Sequence, residues 1–181
     1  TRARGATARR RPGTVLRPAD GRRRMAPAHK DETMTDPDPE LPATAQRIAR
    51  GVVRLMEGLG YAALAEYTLG NGRRADILAI DGAGRIVIVE IKSSRADFAA
   101  DRKWHEYLEY CDRFYFAVEP VFPRELLPGD VGLIVADAHG GSVLRESETA
   151  AINVNRRRSL ILGVALTASR RLARLFDGEL P

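Results

Sequence analysis

The chain has 181 residues, 44% of them hydrophobic and 29% charged, which suffices for one packed domain and leaves no room for a second of ordinary size. Its single cysteine, Cys111, excludes an internal disulfide framework and suits a reducing compartment. The net charge of +5 sits mostly at the start: residues 1–40 hold ten Lys or Arg against six Asp or Glu, residues 41–181 nineteen against eighteen, so a globally basic folded domain is excluded and any nucleic-acid footprint must be a local patch.

Residues 1–40 are dominated by Arg, Pro, Gly, Ala and Thr, show no apolar periodicity and end in an acidic patch, and so read as a disordered basic and acidic tail. Two origins fit this tail. Arg9-Arg10-Arg11 and Arg22-Arg23-Arg24 would make a basic arm that touches nucleic acid without sequence preference. Alternatively, since the chain opens on Thr1, the stretch precedes a true start at Met25 or Met34. No apolar run approaches the ~20 residues that span a bilayer, and none follows the basic start as in a signal peptide, so the expected location is intracellular and cytoplasmic.

The expected folded domain covers residues 41–181. Pro42 and Thr44 open a helix whose Ala45, Ile48, Val52, Leu55, Met56 and Leu59 recur at intervals of three and four, with Gly58 and Gly60 to stop it. Glu57 lies off that stripe and reads as solvated. Three strands follow over residues 61–69, 73–80 and 85–92, separated by Gly70-Asn71-Gly72 and Asp81-Gly82-Ala83-Gly84, both hairpin signals. Ser94 and Asp97 form a capping box that starts a second helix directly after the third strand. On that helix Lys103 and Tyr107, four apart, share a face, while Trp104, Leu108 and Cys111 pack on the sheet. Residues 113–118 supply a fourth strand, residues 131–137 and 142–145 a further hairpin, and residues 160–176 a closing helix. Arg156-Arg157-Arg158, Arg170, Arg171 and Arg174 are candidate phosphate contacts or a solvated face. The histidines, His29, His105 and His139, lack metal-ligand spacing.

Across the two hairpins the register brings Glu66 opposite Asp76 and Asp76 opposite Glu90, so one row of acids crosses three strands. Directly opposed side chains have their Cβ atoms about 5 Å apart, and like charges there cost on the order of 1 kcal/mol or more unless neutralised. A hard divalent cation, Mg2+ or Mn2+, would neutralise them and would take phosphate oxygens as further ligands. Side chains alternate along a strand, so Ile86, Ile88, Glu90 and Lys92 share one face and put the lysine ammonium into the same site. A strand-end acid paired with Arg73, Arg74 or Arg95 would explain one carboxylate, but not three in a row with a lysine beside them.

Asp76, thirteen intervening residues, then Glu90-Ile91-Lys92 resembles the PD-(D/E)XK nuclease signature, with Ala75 where that signature has proline. Residues 71–76, 89–98 and 101–107 look more specifically like the MmcB-like family of bacterial DNA-repair proteins within that superfamily, a resemblance that covers roughly residues 45–176. It implies an α/β, restriction-endonuclease-like αβββαβ core with a mixed central sheet flanked by helices. It also implies metal-dependent phosphodiester cleavage by Asp76, Glu90 and Lys92, with Asp76, Glu90 and the Ile91 backbone carbonyl as metal ligands; the strand register adds Glu66 as the third acid ligand. Lys103 and Tyr107 resemble an element that some superfamily members carry near the scissile phosphate; a solvated lysine and a half-buried tyrosine is the other reading. Arg73, Arg74, Ser93, Arg95, Lys103 and Tyr107 are the candidate DNA contacts. The expected function is a metal-dependent DNA nuclease of repair or recombination. The alternative is a non-catalytic DNA-binding adaptor that supports a repair polymerase or other repair partner.

Overall fold

The apolar stripe read near the start of the domain forms α1 (Ala43–Gly58), and Ala45, Ile48, Gly51, Val52 and Met56 are its buried residues. Each of Ile48, Val52 and Met56 contributes roughly 2 kcal/mol of apolar burial. Leu59, counted on the same stripe, is exposed, because the helix has ended before it and Gly60 at φ 83° turns the chain into the first strand. Gly51 is required for a different reason: a side chain there would run into the Asp137 and Gly140 carbonyls, which the helix approaches closely. Glu57 is exposed, as expected.

The structure, a computed structural model, describes residues 43–101 and 103–177. The expectations for residues 1–40, both arginine triplets included, lie outside the described residues. Six strands form one mixed sheet in sequence order: β1 (Tyr61–Thr68), β2 (Arg74–Asp81), β3 (Ile86–Ile91), β4 (Arg113–Val118), β5 (Gly132–Ala136) and β6 (Gly141–Arg145). The first three are antiparallel neighbours, β4 and β5 run parallel to β3, and β6 returns antiparallel. This is the expected α/β class, a mixed six-stranded sheet flanked by helices and consistent with a restriction-endonuclease-like fold. Gly72 at φ 80° and Gly84 at φ 76° make the two hairpin turns possible. Asn71 Oδ1 accepts from the Arg73 N–H, and Asp81 Oδ1 from those of Ala83 and Arg85.

The two faces of β3 serve different layers. Val87, Val89 and Ile91 pack under α1 with Ile77, Ala79, Ala117 and Ile134, whereas Ile86 and Ile88 face the opposite layer with Phe114, Phe116 and Trp104. That second layer holds α2 (Arg95–Ala100), a 3₁₀ segment (Trp104–Tyr110) and α3 (Val154–Asp177). Two expectations are corrected here. The helix after β3 is not continuous, because Asp101 leaves helical geometry at φ −88°, ψ 92°. The closing helix starts at Val154, so the Arg156-Arg157-Arg158 cluster lies within it.

Arg157 is a structural residue. Its guanidinium grips Asp112 through two bonds of 2.6 Å and also reaches the Gly84 carbonyl at 2.7 Å, while Asp112 Oδ2 accepts from the Ile86 N–H at 2.7 Å. Fork-to-carboxylate geometry of this kind ties α3 to the start of β3 and β4. Arg156 stacks over Tyr110 and pairs with Glu109 at 3.0 Å. Among the described residues no helix is long and apolar enough to cross a membrane.

Candidate functional site

The β2–β3 ladder ends with Ile77 opposite Val89, one pair short of Asp76 and Glu90. Beyond that point the strands part, and the Asp76 carboxylate fills the gap: its Oδ2 accepts from the Ile91 N–H at 2.7 Å. A strand residue's N–H and C=O point to the same side, so the Ile91 carbonyl is aimed at this gap as well. The next residue turns its N–H the other way, from Lys92 to the Ala117 carbonyl at 2.9 Å.

Glu90 and Lys92 are nearly inaccessible, at 8% and 2% exposure. Lys92 Nζ lies 3.1 Å from Glu90 Oε1, 2.6 Å from Asp101 Oδ2 and 5.9 Å from the centre of the Phe116 ring. Asp101 reaches it by leaving the helix, and its other oxygen accepts from the Lys103 N–H at 3.0 Å. One half of the capping box forms, and the Asp97 carboxylate reaches one residue further back, to Ser93 rather than to the N-cap Ser94. Ser94 Oγ accepts from the Asp97 N–H at 3.1 Å, and Asp97 Oδ2 accepts from the N–H and hydroxyl of Ser93.

One ammonium among these acids does not neutralise all of them. Burial, reinforced by the Asp76 charge, pushes the Glu90 carboxyl up to about 8 against the pull of Lys92. Burial likewise raises Asp76 to about 6, opposed by the Ile91 N–H and Lys92. For Asp101, burial is outweighed by the bonds from Lys92 and Lys103, which hold it below the usual range. Burial would lower Lys92, but Glu90 and Asp101 outweigh it and raise its pKa. Glu90 Oε2 is buried without a hydrogen-bond partner. The Tyr107 hydroxyl donates to the Arg74 carbonyl at 2.9 Å, and burial, the Glu90 charge and a polar contact with that carboxyl raise its pKa. An unpaired buried carboxylate oxygen costs on the order of 1–3 kcal/mol, and a cation would remove that cost.

Glu66 stands apart from this cluster. Its neighbours pair across β1 and β2 in the expected register, Ala65 with Ile77 and Tyr67 with Ala75. The side-chain alternation slips there in both strands: Leu64 and Tyr67, three apart, pack in one layer, and so do their partners Leu78 and Ala75. In β1 the cause is Glu66 itself, at φ 52°, a conformation worth roughly 1–2 kcal/mol of strain in a non-glycine residue. The guanidinium of Arg171 in α3 bonds to the Ala65 and Glu66 carbonyls at 2.5 and 2.7 Å and braces the kink. Glu66 is not among the leading charges acting on Asp76 or Glu90. Among the described residues no three Asp, Glu, His or Cys side chains converge as a ready metal cage. The row of three acids is therefore corrected to two, joined by Asp101 across Lys92.

An open cleft of about 570 Å³ is lined by Arg73, Glu90, Lys92, Asp97, Ala100, Asp101, Lys103 and Tyr107; Asp76 lies behind Glu90 and does not line it. Arg73 is held at its rim by Glu106 at 2.7 Å. Arg74 contributes its carbonyl to Tyr107 and its charge to Asp76. Lys103 and Arg95 are exposed. Ser93 is engaged with Asp97, and Tyr107 is buried, its ring stacked 5.9 Å from that of Phe114. The donor set fits a hard divalent cation: Glu90 Oε2, Asp76 Oδ1 and the Ile91 carbonyl are all oxygens, and Mg2+ commonly takes one or two carboxylates and fills its other positions with water and substrate phosphate. Asp101 was missed from sequence because its role depends on a break nine residues beyond Lys92 that no local signal marks.

The chain is similar to a solved protein of unknown function from Silicibacter pomeroyi, with 42% sequence identity, a TM-score of 0.74 and coverage of 76% of this chain and 94% of that one. No curated protein matches it. The profile of the MmcB-like DNA repair proteins matches residues 32–179, most of the chain. The chain belongs to the MmcB-like family of DNA repair proteins.

Proposed function

We propose that the protein is a metal-dependent DNA nuclease of repair or recombination, with Asp76, Glu90 and the Ile91 carbonyl holding Mg2+ or Mn2+ and Lys92 acting on the scissile phosphate. The observation that carries this reading is the unpartnered Glu90 Oε2 beside Asp76 at the base of an open cleft. A bound divalent cation would neutralise the two carboxylates and supply positive charge where a phosphodiester gains negative charge. Lys92 then orients a non-bridging oxygen or the attacking water, and Asp101 keeps its ammonium charged and aimed. Lys103, Arg73 and Arg95 attract the backbone on either side, a local basic rim in a domain with little net charge. Membership of a DNA-repair family supports the substrate class.

A second reading, a DNA-binding adaptor for a repair partner, is favoured by one observation: the Lys92 ammonium is already engaged by two carboxylates. The two readings differ in what Lys92→Ala does. In a nuclease it lowers cleavage in Mn2+ by roughly 100-fold or more, while DNA binding in Ca2+ changes at most a few-fold. The assay is strand cleavage on single-stranded, duplex, flapped and branched DNA. If wild type cuts none of these and Lys92→Ala loses binding alone, the adaptor reading replaces the nuclease.

A further inference from the structure

Another hollow, of about 450 Å³, lies where the β1–β2 turn, the end of the 3₁₀ segment and the first two turns of α3 meet, a volume in the range of ordinary ligand sites. Tyr107 lines the cleft, and Tyr110 lines this hollow. The two tyrosines are three apart on the 3₁₀ segment, one full turn, which puts them on the same side about 6 Å from each other. The β1–β2 turn is clamped to the same segment: Asn71 Nδ2 donates to the Glu106 carbonyl at 3.2 Å, and Arg73, on the rim of the cleft, pairs with the Glu106 carboxylate at 2.7 Å. Cleft and hollow therefore share one rigid wall.

The chemistry of the hollow suits a flat, uncharged ring. Arg156 lies 4.8 Å over the Tyr110 ring, and both are half-buried, so the pair offers stacking surface to a third planar group. Arg156 is the one cation among the described residues that line the hollow, and its charge is already taken, by Glu109 Oε2 at 3.0 Å and the Glu109 carbonyl at 2.9 Å. A phosphate would find little there to neutralise it. Tyr67 supplies an unused polar group: the residue is 9% exposed, its hydroxyl lies against α3 at Gly163, one turn beyond Ser159, and that hydroxyl has no hydrogen-bond partner among the described residues. Burial is the cause of its raised pKa. Thr68, Asn155 and Ser159, all exposed, add donors and acceptors at the mouth.

We infer that this hollow takes the base of an unpaired nucleotide, stacked on the Tyr110–Arg156 pair, so that the substrate class of the neighbouring cleft is DNA with a single-stranded stretch. The inference rests on the reading that DNA lies in that cleft. Inside a duplex both faces of a base are already stacked, and a base reaches a pocket of this kind only when it has left the stack. A strand passing Tyr107 has about 6 Å to cover before it reaches Tyr110, one or two nucleotides at ~3.4 Å or more each. Every base has a stacking face, so the hollow selects the state of the strand and not its sequence.

The test is fluorescence anisotropy of the full chain in Ca2+ with a labelled single strand of mixed sequence and with the blunt duplex of the same strand. Wild type is expected to bind the single strand more tightly. Tyr110→Ala should weaken single-strand binding roughly tenfold and leave duplex binding unchanged, while Tyr110→Phe, which keeps the ring, should bind as wild type does. Ser159→Leu fills the hollow from an exposed helical position, removes no contact, and should act as Tyr110→Ala does. Equal affinity of wild type for the two DNAs overturns the proposal, as does unchanged single-strand binding in Tyr110→Ala or Ser159→Leu. A Tyr110→Phe protein as weak as Tyr110→Ala overturns it as well. Displacement of the strand by millimolar thymidine would assign the hollow to a free nucleotide and overturn it too. Binding in Ca2+ needs no cleavage, so a wild type that binds as expected and cuts nothing in Mn2+ upholds this subsite while the nuclease reading falls.

Discussion

Asp101 Oδ2 stands 2.6 Å from Lys92 Nζ, closer than the 3.1 Å that separates this ammonium from Glu90 on its own strand. The lysine is thus held mainly from the far side of the cleft, by the residue at which α2 breaks. Asp101→Asn keeps the shape and an acceptor for the Lys103 N–H but removes the charge, leaving a buried cation with less compensation. It should cost about 2 kcal/mol in urea denaturation. A change under about 0.5 kcal/mol, the size of an ordinary surface pair, would mean that the contact does not hold Lys92 in solution.

The raised carboxyls make stability depend on pH in a defined direction. A group whose folded pKa exceeds its unfolded one stabilises the fold fully below the unfolded value and loses that contribution as pH rises through the folded one. For Asp76 and Glu90 the loss runs from about pH 4 through about 6 and 8. Chelated wild-type protein should lose stability between pH 5 and pH 8, whereas Glu90→Gln should lose less and exceed wild type at pH 8 by on the order of 2 kcal/mol. Parallel profiles for the two proteins would contradict the burial of an uncompensated Glu90.

Millimolar Mn2+ should raise the melting temperature of wild type by mass action on the folded state, more at pH 8 than at pH 6, because the ligands must be deprotonated. Asp76→Asn should abolish the rise. Glu66→Gly should leave it intact and should itself stabilise the protein by roughly 1 kcal/mol, since glycine adopts φ 52° without strain. A Glu66→Gly protein that no longer responds to Mn2+ would restore Glu66 as a ligand.

Two neighbouring arginines should behave oppositely. Arg157→Ala leaves the buried Asp112 charge without its cation, held only by the Ile86 N–H, and should cost about 3 kcal/mol. Arg158→Ala, at an exposed position, should change stability by no more than about 0.5 kcal/mol. Chemical denaturation distinguishes them, and equal losses would contradict the pairing.

The strands, their register and the layer each face serves follow from local rules. Glycine turns set the hairpins, two-residue alternation assigns Val87, Val89 and Ile91 to one layer and Ile86 and Ile88 to the other, and the spacing from Asp76 to Glu90 and Lys92 carries the family resemblance. These are near-neighbour properties, so the amino-acid sequence alone decides them. What it leaves open depends on groups far apart in the chain. Glu66 reads as a third acid because register places it opposite Asp76, but a backbone kink braced by Arg171, 105 residues away, breaks the alternation there. Asp101 enters the site because a helix stops short, and Arg157 leaves the list of phosphate contacts because Asp112 claims it. The apolar periodicity of α3 says that one side of it must be covered. Only the folded chain, where Leu160, Gly163 and Val164 take the body side, shows that the larger apolar side is the one left in water.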